Sequence, residues 1–316
     1  MLRTALLDSV YFSAFRKCGV GNFSTVGWRL RPLFVTRLLP LLLLLALPAV
    51  VQAQFTYTTN NGTITITAYT GPGGVVTIPS STNGLPVTGI GDWAFETNAN
   101  VISVGVPNSV TSIGVSAFWG CTSMTSAALG IGLNSIGDFA FADCFSLAAI
   151  TIPNGVTNIG FAAFDFCASL TNMTIPGSVA SLGGDAFYGC SGLTSVFFMG
   201  NAPSASNTTV FAETDNAVAY YLPGTTNWGA TFGGAPALLW NPQAEAKTAT
   251  FGVRTNRFGF NIIGTTNIPI VVEASTNLAG ASWTALLSCT LTNGSIYFSD
   301  PQWTNYRARS YRIRSP

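Results

Sequence analysis

Residues 136–144 read IGDFAFADC, residues 113–121 read IGVSAFWGC and residues 159–167 read IGFAAFDFC. The phrase returns at a fixed interval of 23 residues and ends each time in cysteine. Whole columns keep step with it. Ala94-Phe95, Ala117-Phe118, Ala140-Phe141, Ala163-Phe164 and Ala186-Phe187 form one column. Ile90-Gly91, Ile113-Gly114, Ile136-Gly137, Ile159-Gly160 and Leu182-Gly183 form a second. Cys121, Cys144, Cys167 and Cys190 form a third, with Asn98 in the first copy. Apolar residues follow as Val101, Met124, Leu147, Leu170, Leu193 and as Val104, Ala127, Ile150, Met173, Val196. Five copies in one register predict a solenoid, in which each copy is a coil and neighbouring coils bury each other's apolar edges.

Each coil reads physically. In SLTNMTIP (169–176), Leu170, Met173 and Ile175 point inward and the last two alternate, which predicts a short strand. Pro176 ends it, because proline has no N–H for a sheet ladder. SVASLG (178–183) predicts a second short extended piece, and its glycine a turn with positive φ. The Ala-Phe pair then lies in a tight turn, with Phe filling the interior. VVTIP (75–79) and AVAYYLP (217–223) repeat the strand signature one coil before and one coil after the clear copies. Seven stacked strands are expected, a column about 30 Å long at roughly 4.8 Å per coil.

The pattern IG..AF..C..L..I.IP..V..IG resembles the BspA-type leucine-rich repeat, common in bacterial secreted and cell-surface proteins, over about residues 75–235. The second copy departs from it: Gly130 replaces the proline, and Ala127-Ala128-Leu129 weakens the strand core. The resemblance implies a non-enzymatic surface or adhesive role, and it implies no particular ligand.

The expected fold is mainly β: a leucine-rich-repeat solenoid of about seven coils followed by a small C-terminal β-sandwich. Residues 1–53 read as leader and signal peptide. Arg37 precedes an apolar run from Leu38 to Val51, and small residues at Ala49 and Ala53 suit cleavage at Ala53/Gln54. The run is short for a permanent membrane span. Met1–Thr36 is long for a charged n-region; a start codon assigned too early and an extended leader are the two explanations. Residues 54–86 form the N-terminal hairpin and cap coil, because FTYTTNNGTITITAYTG alternates around Asn60-Asn61-Gly62. Residues 87–200 are the repeats and 201–240 a C-terminal coil and cap carrying Trp228, Phe232 and Trp240, whose aromatics serve packing ahead of sugar stacking. Residues 241–249 are a linker, and the alternating segments of 250–316 form the sandwich of about six strands.

Charge divides the chain. From Leu38 to Ala246 there is no Lys or Arg against nine Asp and Glu; from Lys247 onward there are seven basic residues and two acidic. The basic-free solenoid disfavours nucleic acid. Zero His removes the Ser-His-Asp triad and His-based zinc sites, and there is no P-loop. Asp92 and Asp138 share a column two coils apart, roughly the spacing of an inverting carboxylate pair, yet Asp after a turn glycine is ordinary turn chemistry. No enzyme activity, cofactor or metal site is expected. The cysteine column reads as buried free thiols ahead of disulfide pairs; a straight column does not converge as metal ligands must.

What remains is binding. Ser103, Gly105, Ser126, Ala128, Ala149, Thr151, Asn172, Thr174, Ser195 and Phe197 flank the inward strand residues and form a flat, small, uncharged face. This face is the candidate contact for an unidentified protein or glycan partner. Arg307, Arg309, Arg312 and Arg314 are expected to share one strand face and to meet an anionic envelope polymer. The expectation is an exported interaction or adhesion protein, extracellular or on the cell surface, with no transmembrane helix in the mature chain. A passive spacer and a carbohydrate-active β-solenoid enzyme are the alternatives.

Overall fold

The computed structural model describes residues 12–15, 54–205, 209–278 and 282–316. The expected cleavage site and the apolar run before it lie outside the described residues. The chain divides into two units, one spanning Val51–Asn241 and the other containing Pro242–Pro316 with the strand Phe12–Phe15.

The first unit is a solenoid. One ladder runs through the parallel strands Leu85–Ile90, Ser112–Ile113, Ser135–Ile136, Asn158–Ile159, Ser181–Leu182 and Ser204–Ala205. Its register is one repeat throughout, Ser112 facing Ser135 and Ser135 facing Asn158. A second ladder holds the strands that carry the leucine-column signature. It is split into two sheets: Gly74–Thr77, Val101–Gly105, Ser126–Ala128 and Ala149–Ile150, then Asn172–Ile175, Ser195–Phe198, Val218–Tyr221 and Ala235–Leu239. Ala235–Leu239 extends the seven expected strands by one, pairing in parallel with Val218–Tyr221.

On the third side the Ala-Phe turns are joined without strands. The N–H of Phe118 donates to the carbonyl of Ala140 at 2.8 Å, and that of Phe141 to Ala163 at 2.8 Å. The turns therefore satisfy their own buried donors coil to coil, as a sheet would. Inside, Phe95, Phe118, Phe141, Phe164, Phe187 and Phe211 form one stack of rings, with centroids 4.7–5.6 Å apart. These spacings match the coil rise, so one phenylalanine per coil fills the interior without a gap.

The glycine column has a different cause from the expected one. Gly114, Gly137, Gly160 and Gly183 are not left-handed; a Cβ there would lie 2.4–2.7 Å from atoms of the preceding coil, so glycine serves close approach. The left-handed residues fall two positions later, on Trp93, Ser116, Phe139, Ala162 and Asp185, with φ between 49° and 58°. Gly130, which stands where other copies have proline, is likewise pressed on the coil before it: an added Cβ would meet the Pro107 oxygen at 2.3 Å.

Each end of the solenoid carries further packing elements. Phe55–Asn60 and Thr63–Tyr69 form a hairpin around Asn61 and Gly62, both with positive φ, and Thr63–Tyr69 continues the first ladder. At the other end Trp228 stacks on Tyr221 at 5.0 Å, and Phe232 meets Phe198 at 5.1 Å, which is packing.

The second unit has two antiparallel sheets. One contains Ile268–Ser275, Thr284–Leu291, Ala308–Arg314 and the strand Phe12–Phe15; the other contains Gln243–Ala244, Gly252–Arg254, Arg257–Ile263 and Ser295–Asp300. Phe258, Phe260 and Phe298 of one sheet surround Tyr311 of the other at 5.0–6.1 Å. Gln243–Ala244, in the stretch expected to be linker, pairs with Ile262–Ile263 and so belongs to this unit.

Candidate functional site

The ladder register builds the candidate face. Ser103 faces Ser126 and Gly105 faces Ala128. Ala149 faces Ser126 in turn, and Thr151 follows this strand. Between them runs an open groove of about 530 Å³ on the outer face of the first four-stranded sheet, with Val75, Thr77 and Thr151 along it. Nothing charged lines it. Val75 is 79% exposed, so the floor has an apolar end. The second sheet repeats the columns as Asn172 beside Ser195 and Thr174 beside Phe197.

Phe197 does not belong to an open face. It is only 2% exposed, stacked on Tyr220 at 5.1 Å and edge-on to Trp240 at 6.2 Å. Its parity in the strand is outward, as expected, but the C-terminal cap folds aromatic rings over that position.

Sequence reasoning passed over the exposed aromatics of the turn side. Trp93 is 56% exposed, and Phe161 and Phe166 are about as open to solvent as each other. Phe161 meets Phe139 at 5.4 Å, and Phe166 meets Tyr188 at 5.5 Å, both edge to face. Phe166 also lies over Gly189 of the next coil, where an added Cβ would meet its ring at 2.6 Å. The available signal was an aromatic in columns beside Ala-Phe that point away from the interior.

Asp92 and Asp138 do not converge on a shared substrate position. The Asp92 Oδ1 accepts the Val115 N–H at 2.7 Å, and the Asp138 Oδ1 accepts the Phe161 N–H at 2.8 Å. Each carboxylate clamps its coil to the next, which is turn chemistry. Among the described residues no group of three or more Asp, Glu, Cys or His could hold a metal.

The cysteine column has a definite partner. Each thiol donates to the carbonyl of a phenylalanine one coil back: Cys121 to Phe95, Cys144 to Phe118 and Cys167 to Phe141 at 3.2 Å, and Cys190 to Phe164 at 3.0 Å. The next coil places Thr214 there, whose hydroxyl donates to Phe187 at 2.8 Å. The column thus calls for a small side chain with one donor, which sulfur and hydroxyl both meet. Burial pushes the thiols of Cys121 and Cys190 up to about 12, so they stay protonated donors.

The C-terminal arginines do not share a face, because the alternation changes phase between Arg309 and Arg312. Arg309 is buried and paired with Asp300 at 2.7 Å. Arg312 and Arg314 reach Glu273 at 2.6 and 2.7 Å. Burial alone would raise the Glu273 carboxyl, but the Arg314 and Arg312 hydrogen bonds outweigh it and hold it below the ordinary carboxylate value. Arg307 alone of the four is exposed.

Parallel short strands, turns bonded coil to coil and one apolar stack define a leucine-rich-repeat solenoid. Residues 88–217 match the sequence model of the BspA type leucine rich repeat region in six copies, so this segment is a BspA-type leucine-rich-repeat region. No curated protein matches the chain. Among solved structures, a T. pallidum leucine rich repeat protein is similar at 32% identity, over 54% of this chain and 85% of that one, with a TM-score of 0.49. A leucine-rich repeat protein from Bacteroides ovatus ATCC 8483 is 25% identical over 54% of this chain and 48% of its own, TM-score 0.47. A leucine rich cell surface protein from Faecalibacterium prausnitzii A2-165 is 29% identical over 53% of each chain, TM-score 0.45. The chain thus spans about half the length of the last two.

Proposed function

We propose that the chain is an exported, non-enzymatic interaction protein that holds a protein or glycan on the outer face of its repeat sheet. The observation that carries this reading is the open, uncharged groove over Ser103, Gly105, Ser126, Ala128 and Ala149. Short side chains in register leave a flat strip on which a partner can lie across several coils, with hydroxyls for hydrogen bonds and Val75 for apolar contact. Export is supported by the apolar run Leu38–Val51 and the small residues before Gln54. Among the described residues no helix is long and apolar enough to cross a membrane. Asp92 and Asp138, the carboxylate pair considered for a hydrolase, each accept a backbone N–H of the next coil. The C-terminal strand is assigned no envelope contact, since its three arginines are engaged with Asp300 and Glu273.

The test is an array of glycans and extracellular-matrix proteins probed with the secreted chain and with Ser126→Arg. Ser126 is half-buried at the groove's centre, so an arginine there stands in the strip without entering the core. Ligands held by this face are lost in the variant at unchanged thermal midpoint. An identical array for both proteins would assign binding elsewhere.

A further inference from the structure

The cationic surface of the second unit lies on the sheet opposite the C-terminal strand. Arg254 and Arg257 face each other across a two-residue turn, Thr255 and Asn256, both with positive φ. Such a turn sets the two side chains on one face of the sheet at its tip. Like charges directly opposite each other in a hairpin destabilise it. A neighbouring carboxylate would normally relieve them, and among the described residues none pairs with either. Residues 242–316 contain three acids: Glu273 and Asp300 are taken by other arginines, and Glu245 accepts the side-chain amide of Asn261 at 3.1 Å.

The same face carries the other parts of a binding site. The strand Arg257–Ile263 presents Arg257, Gly259 and Asn261 outward, and its partner strand presents Tyr297 and Ser299 beside them. Tyr297 is 46% exposed and lies over Gly259, where an added Cβ would meet its hydroxyl at 2.3 Å. Glycine at 259 therefore lets the ring lie down on the sheet. Arg254, Arg257, Asn261, Tyr297, Ser299 and Thr250 surround a groove of about 840 Å³.

We propose that this groove binds an acidic polysaccharide through one uronic-acid unit, the sugar ring against Tyr297 and its carboxylate between Arg254 and Arg257. A flat exposed ring gives a pyranose an apolar surface, and Asn261, Ser299 and Thr250 match its hydroxyls. Two guanidinium groups suit one carboxylate. A nucleic-acid strand calls instead for a row of cations tracking successive phosphates, which this face lacks. The site is independent of the role assigned to the solenoid.

The experiment is calorimetric titration of the full chain with polygalacturonate, with neutral dextran and with single-stranded DNA. Polygalacturonate binds and dextran does not. The double variant Arg254→Gln with Arg257→Gln weakens binding about tenfold or more, and so does Tyr297→Leu, which keeps an apolar cover over Gly259 but no ring. Arg307→Gln, just before the last strand of the other sheet, leaves binding unchanged. The arginine variants remove no ion pair and relieve the like-charge repulsion, so the thermal midpoint holds or rises. Failure of the wild type to bind polygalacturonate would overturn the proposal. So would equal binding by wild type and the double variant, or tighter binding of DNA through the same residues.

Discussion

Asp165 shows how a single side chain records the crowding of the turn side. Its Oδ1 is buried without a hydrogen-bond partner. Burial first, then the charges of Asp143 and Asp185, raise its carboxyl to about 6. A carboxyl whose pKa is higher folded than unfolded binds its proton more tightly in the native state, so its ionisation destabilises the fold. That penalty grows as pH rises from about 4, the unfolded value, and is complete above the folded value. Asp165→Asn should therefore raise the thermal midpoint at neutral pH and leave it unchanged at about pH 3.5. A gain of equal size at both values would assign the effect to something other than charge. The cysteine column is the opposite case, in which every thiol has its acceptor. The sequence alone indicates its burial, from its fixed place in the repeat. The acceptor was not legible, because a carbonyl one coil back has no signature in residue type; Thr214 was the available hint, one residue out of step with the column.

At the scale of the element, the coil is held by three kinds of contact: strand ladder, turn-to-turn hydrogen bonds and the phenylalanine stack. The stack is the largest apolar contribution per coil. Phe141 and Phe164 are fully buried and nearly parallel, 5.4 Å apart. Phe141→Ala or Phe164→Ala removes a ring with neighbours above and below, and each should cost about 3–5 kcal/mol, since flanking coils joined by ladders cannot collapse into the space. Urea denaturation monitored by circular dichroism would measure it, and an unshifted midpoint for both would remove the stack from the core. Period and columns make the coil legible in the sequence, including the inward Phe and both extended pieces. The glycine column was read with the wrong cause. Ile-Gly is glycine because coils approach within contact distance there, and distance between coils is not written in any one copy. The left-handed turn positions carry Trp93, Phe139 and Ala162, residue types that do not advertise positive φ. Phe197 was placed on the correct side of its strand, but the cap that covers it arrives from Tyr220 and Trp240 by tertiary packing.

For the whole molecule, the two units answer to acid differently. The second unit rests on a buried network in which Glu273 accepts Arg312 and Arg314, while Asp300 accepts Arg309 and the Tyr311 hydroxyl at 2.9 Å. Burial, then the Asp300 hydrogen bond, raise the Tyr311 phenol, so it remains a donor. For Glu273 the folded value lies below the unfolded one. Its contribution is then fully present above the unfolded value of about 4 and is lost as pH falls through the folded value. The variant Arg312→Gln with Arg314→Gln should lower the melting point of this unit at neutral pH, and the gap to wild type should close towards about pH 2. A gap that persists there would mean packing, not charge, is lost. The arginine pairs were misread from sequence because two alternating pairs look continuous until their phase is checked against the strand. The solenoid has a consequence of another kind. Ser112 meets Ser135, Ser135 meets Asn158 and Asn158 meets Ser181, so every inner coil offers the same seam to the coil before and the coil after. Excising or duplicating one whole period leaves both seams matched, whereas a change of any other length throws all three sides out of phase. Natural variation in this chain's length should therefore come in whole coils, making reach an inheritable quantity that alters in fixed steps while both caps stay untouched.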